Sequence, residues 1–348
     1  MLDYSNCGIT GLCVHHIGNR TNGEDILLSK NNHDISDEKL QDLLLRYFLA
    51  PFSNVEYYSF TFSNGDVSMN PVYSFVSEIF KKANTLHDQS IDIAKHLYEI
   101  SVHPQIKAGD LFVSVFSDIE IDGELCQAIG IFKSENRQAF LKLNNQKNDF
   151  SLKYDDGINV EKLDKGCLIM NKSKEEGYKV CIIDRANKAG EAQFWKDTFL
   201  NLKPCSDDYH HTKDFLNITK NFVTKQLIEE FEVSKTDQID YLNRSVDYFK
   251  THESFDKDDF EKEVFQDKGV IKAFRNYDEI YRGNNDLELI DNFDISTQAL
   301  KKQAKIFKSV LKLDKNFHIY IHGNKDMIEQ GIEKDGRKFY KIYFKEES

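Results

Sequence analysis

Proline is scarce in this sequence, with 4 among 348 residues. Extended disordered linkers are therefore not expected. No apolar run reaches the length of about 18 residues that marks a membrane span, so no membrane partner is expected. The opening stretch, Met1–His16, lacks the basic start and apolar block of a signal peptide, which points to the cytoplasm. The six cysteines include no C-x-x-C pair. Scattered through strand-like segments, they read as small buried hydrophobes and not as bridges. Catalytic fingerprints are missing too: no G-x-x-x-x-G-K-[ST], no G-x-G-x-x-G, no G-x-S-x-G and no H-E-x-x-H occurs. The chain thus reads as a non-enzyme with no cofactor and no metal. Asp207, Asp208, His210 and His211 are metal-capable, but their spacing matches no common site.

Positive charge is also in deficit. The formal net charge is −12, so the chain as a whole repels DNA at long range. Binding that rests on phosphate neutralisation then needs a local concentration of Lys and Arg. Otherwise the partner is a protein. The deficit is concentrated: Glu229 to Asp267 holds 13 acidic against 5 basic residues, a local balance of −8. That segment reads either as a solvated helical face or as a surface for a basic protein partner.

The hydrophobic content, 40%, supplies enough apolar material for real cores, and the length suits two domains. A first domain, residues 1–206, is expected to be α+β, with a largely antiparallel sheet and flanking helices. Strand-like runs occur at 7–17 and 55–62. Asp25–Ser29 is expected to partner the first of these. Gly109–Phe132 reads as a hairpin around Asp122–Gly123. Further runs follow at 139–143, 150–154, 167–171 and 178–183. His15 and His16, adjacent on a strand, should face opposite ways. Helices are expected after Ser36, with Leu40, Leu43, Leu44 and Tyr47 inward, after Asn70–Pro71, and over 90–103. The second domain, residues 207–348, reads as helix-rich and ends in a small antiparallel strand pair, Phe317–His322 with Lys338–Phe344.

Three places offer cations. The segment Gly177–Pro204 reads as a strand, then a basic loop carrying Arg185 and Lys188, then a short aromatic helix with the only Trp, Trp195. An ordinary solvated connection gives the same pattern. Ser296 can cap a helix through Leu313, in which Leu300, Ala304, Phe307 and Leu311 form the buried stripe. Lys301, Lys305, Lys308 and Lys312 then line one edge of it. In the last strand, Arg337, Phe339, Lys341, Tyr343 and Lys345 share a face. That face suits nucleic acid or a strand edge protected by charge.

With these motifs placed, the order of elements resembles the bacterial 37-kDa nucleoid-associated protein family. The likeness is sharpest at Pro104–Phe116, reading P-x-x-x-x-G-D-L-F-V-S-V-F, and at Cys181–Leu200, CIIDRANKAGEAQFWKDTFL. Lys213–Val223, KDFLNITKNFV, and the C-terminal strands complete it. The resemblance implies a protein of the cytoplasm and nucleoid, without enzymatic activity, that contacts DNA or a DNA-bound protein. It carries Arg185 and Lys188 as candidate DNA contacts. Lys301, Lys305, Lys308, Lys312, Arg337 and Lys341 join them from their spacing. The edge strands of the first domain and the last strand could each support a homodimer.

Overall fold

The strand Gly109–Ile121 organises the first half of the chain. Its apolar residues alternate between two buried faces, as expected of a strand covered on both sides. The computed structural model describes every residue except 1, 53–55, 64, 122, 147–148, 186–193, 286, 305–306, 308–309, 322–326 and 347–348. It divides into two units, Met1–Cys205 and Ser206–Ser348.

In the first unit, the strands are β1 (Leu2–Asp3), β2 (Gly8–Ile17), β3 (Tyr57–Phe60), β4 (Gly109–Ile121), β5 (Glu124–Ser134), β6 (Arg137–Gln146), β7 (Asp149–Ile158), β8 (Lys165–Met170), β9 (Lys179–Asp184) and β10 (Leu202–Pro204). Eight of them form one antiparallel sheet in the order β1-β4-β5-β8-β9-β3-β10, with β2 alongside β4. The expected hairpin holds: Ile121 pairs with Glu124, and Gly123 takes the left-handed φ of +80° that the tight turn demands. The expected partner strand Asp25–Ser29 reduces to a single bridge, His16 to Leu27.

Helix α1 (Glu38–Leu49) covers one sheet face. Phe48 stacks on Phe132 with ring centroids 4.3 Å apart, and Phe52, Phe112, Phe116 and Leu168 complete that core. Helices α2 (Pro71–Lys81) and α3 (Leu86–Ile100) cover the other face. Asn70 caps α2 through the Tyr73 N–H at 3.0 Å, with Pro71 in the first turn. A single wide helical turn, Phe194–Leu200, buries Trp195 and Phe199 in the same core.

The structure corrects several expectations here. The cap of α1 is Asp37, not Ser36. Leu40 and Leu43 stay exposed, because the residues that reach the sheet are Tyr47, Phe48 and Leu49 at the end of the helix. Strands β6 and β7 do not join the main sheet but pair with each other alone.

The second unit packs helices around a phenylalanine-rich core. α4 (Asp208–Asn221) continues through a wide turn, Phe222–Gln226, into α5 (Leu227–Glu230). Then come α6 (Lys235–Thr251), strand β11 (Ser254–Asp256), α7 (Lys257–Val264), α8 (Lys268–Asn284), strand β12 (Asn292–Asp294), which pairs with β11, and α9 (Thr297–Ala304). Phe215, Phe222, Phe249, Phe255, Phe260, Phe265, Phe274 and Phe293 form one buried cluster. α8, whose pattern was not recognised in the sequence, supplies Phe274.

The expected lysine-edged helix ends at Ala304. Ser296 does cap it, accepting from the Ala299 N–H at 3.3 Å. Beyond it, Val310–Leu313 is a strand, β13, paired with Phe317–Tyr320, β14. The alternation Leu311, Lys312, Leu313 serves a strand as well as a helix. Asp314, at φ +52°, turns the chain back. The last strand, β16 (Lys338–Ile342), pairs with β15 (Ile328–Ile332) and not with Phe317–Tyr320. Among its described residues the end of the unit therefore carries two small hairpins where the sequence suggested one pair.

Candidate nucleic-acid interface

Four strand ends meet at one end of the main sheet: the start of β4, the end of β5, the start of β8 and the end of β9. Their register places Asp110 opposite Ser134, Lys133 opposite Lys165, and Lys165 opposite Asp184. Charged residues from distant parts of the sequence gather there.

At the centre is a buried ion triad. Glu135 accepts from Lys133 Nζ at 3.0 Å through one oxygen and from Lys165 Nζ at 2.8 Å through the other. Lys133 also donates to the backbone carbonyl of Lys107. Burial lowers the Lys133 pKa, and Glu135 opposes that shift. Asp164 is bound just as fully. Its carboxylate accepts from the Glu135 N–H at 2.7 Å, the Asn136 N–H at 3.0 Å and the Asn136 side-chain amide at 2.7 Å.

Around this buried frame stand exposed cations. Arg185, directly after β9, donates its backbone N–H to the Asp164 carbonyl at 3.0 Å, and its side chain lies in solvent. Lys107 is exposed and reaches Asn136 Oδ1 at 3.3 Å. Arg137 is exposed and meets Asp110 at 2.7 Å, and His16 donates to the other Asp110 oxygen at 2.8 Å. Asp110, Glu135 and Asp164 are turned inward while Lys107, Arg137 and Arg185 point out. An approaching polyanion would therefore meet the cations first. The paired carboxylates are saturated by lysines and N–H donors. Among the described residues, no three His, Cys, Asp or Glu side chains converge as a metal would require.

The remaining candidates are dispersed. Lys301 is exposed on α9, while Lys312 is exposed on β13, opposite His318. The four-lysine edge is therefore not one helix face. Lys188, Lys305 and Lys308 lie outside the described residues. Arg337 meets Asp335 at 2.7 Å, and Lys341 meets Glu329 at 3.5 Å. Both pairs are exposed, so water and salt hold them weakly.

Sequence reasoning singled out Arg185 at this sheet end but not Lys107, Arg137 or the Lys133–Glu135–Lys165 triad. Apart from Lys133 to Glu135, those contacts join separate segments of the chain. The one local sign was a lysine at the end of each of two apolar runs, after Phe132 and before Gly166.

Much of the acidic segment serves the second unit itself. Asp237 closes a capping box with Ser234, and Asp256 and Asp267 cap α7 and α8. Glu261, buried, pairs with Arg275. Asp240, Asp247 and Asp259 meet Arg244, Lys250 and Lys262. His210 and His211 are buried in α4, where His210 bonds to Asp207 at 2.9 Å and the His211 ring packs on Phe293.

This is an α+β chain with a cation-rimmed sheet end. The family model described as nucleoid-associated protein YejK matches residues 13–337, and the chain belongs to that family. No curated protein matches it. No described helix is long and apolar enough to cross a membrane.

Proposed function

We propose that this chain is a non-enzymatic nucleoid protein that meets DNA directly, through the cation rim at the end of the main sheet. The observation that carries the reading is Arg185. It is exposed, and its backbone is tied to Asp164, which also holds the turn bearing Lys107's partner, Asn136, and the neighbouring Arg137. Cations fixed to one rigid strand-end frame lose little entropy when phosphates replace their water. Lys107, Arg137 and Arg185 would meet phosphates, so the binding is sequence-tolerant. Lys188 follows Arg185 closely in the sequence, within the same basic stretch.

The test is a titration of purified, nuclease-treated protein on unrelated duplexes across a salt series. Steep salt dependence with similar affinities for every duplex supports the reading. Absence of binding at low salt overturns it and directs attention to a protein partner for the acidic second unit.

A further inference from the structure

Strands β6 and β7 form a two-stranded arm outside the main sheet. Two-stranded hairpins are marginal in water without something to pack on. The register sorts this one into two unlike faces. One carries Leu141 opposite Tyr154 and Leu143 opposite Leu152. The other carries Lys142 directly opposite Lys153, with Phe140 lying over Gly157.

The first face is open to solvent: Leu141 is 72% exposed, Leu143 62%, Leu152 64% and Tyr154 76%. A flat, apolar hairpin face of this kind is an aggregation hazard unless it is covered. The second face stays in water, because two lysines directly opposite each other repel and resist burial.

We infer that the Leu141–Leu143–Leu152–Tyr154 face of the arm packs against the same face of a second copy of this chain. Two features select a second copy as the occupant. These four side chains hold no charge that would choose a different partner, and an apolar face is complementary to itself across a two-fold axis. The area also fits. The four side chains expose on the order of 500 Å² per copy, so two copies together remove roughly 1,000 Å², where specific interfaces begin. Sheets stack face to face at about 10 Å, a spacing that side chains of this size fill. The paired arms would leave Lys142 and Lys153 of each copy facing outward.

The experiment is sedimentation equilibrium of the full chain at about 10 µM, a concentration suited to an interface of this modest size. The wild type should sediment at twice the 40.5 kDa of one chain. Leu143→Glu and Leu152→Lys, each alone, should raise the dissociation constant at least about tenfold, through like-charge repulsion across the axis. Both positions are exposed, so circular dichroism should be unchanged. An equimolar mixture of the two variants should recover the dimer. A monomeric wild type, a single variant that stays dimeric, or a mixture that stays monomeric would each overturn the assignment. DNA affinity is a separate measurement, so failure here leaves the proposed function standing.

Discussion

Glu135 lies between two buried lysines, and its shorter contact, 2.8 Å, is to Lys165 on the neighbouring strand. The second, Lys133, lies on the same strand as the turn that Glu135 begins. One carboxylate therefore locks the ends of β5 and β8 together beneath the exposed cations. Removing it leaves two ammonium groups with too little compensation. Glu135→Gln should destabilise the first unit by about 3–5 kcal/mol, read as a lower urea midpoint at unchanged slope. A shift under about 1 kcal/mol would mean that water already reaches the triad.

The exposed cations can be removed without disturbing that frame. Arg137→Gln and Arg185→Gln should each lower the slope of log K against log salt by about one unit, and together by about two. Melting temperatures should hold, since an exposed ion pair contributes about 1 kcal/mol or less. A double variant that is folded and keeps the wild-type slope would take the rim out of the binding surface.

His15 makes a pH prediction. It is buried against α3: its Nδ1 accepts from the Ser29 N–H at 3.2 Å, so its Nε2–H donates to Ser90 Oγ at 2.9 Å. Burial first, then the neighbouring His87 and His33, press its pKa from 6.5 down to about 4. Between those values the unfolded chain takes up a proton that the folded one refuses. Stability should therefore fall as pH drops from about 6.5 to about 4, by up to about 3 kcal/mol from this group. Emission from Trp195, buried in the same core, would follow the loss. His15→Gln should flatten the slope over that window, at some cost in stability at neutral pH.

In the acidic segment, position decides outcome. Ser234→Ala removes the hydroxyl of the capping box and should cost about 1 kcal/mol. Neutralising Glu229 and Glu232 should leave the melting curve within about 0.5 kcal/mol of wild type, as surface changes usually do. If both changes melt the protein equally, the acids of this segment act as a network and not as separate caps.

Local patterns were legible in the sequence wherever a short stretch decides its own structure. Asn70–Pro71 started a helix, Gly123 closed a hairpin, and His15 and His16 faced opposite ways, because capping, turn geometry and strand alternation act over a few residues. The lysine row from Lys301 to Lys312 failed because Leu311 and Leu313 satisfy both a helical and an alternating pattern, and only the pairing with Phe317–Tyr320 decides between them. The placement of β6 and β7 off the sheet was hidden for the same kind of reason. Their alternation says that one face is apolar but not what that face meets. Arg185 was visible as a cation in a loop. Its frame was not, because Lys107, Asn136 and Asp164 come from segments with no neighbour relation along the chain.

The sheet order also bears on how the protein is made. β3 lies between β9 and β10, so its partners follow it on the chain by on the order of 120 to 140 residues. On the ribosome, Tyr57–Phe60 emerges early and then waits, both edges bare, until nearly the whole first unit has been synthesised. A nascent chain stalled before Pro204 would keep at least one strand edge open to other chains, a state that chaperones recognise and that favours aggregation.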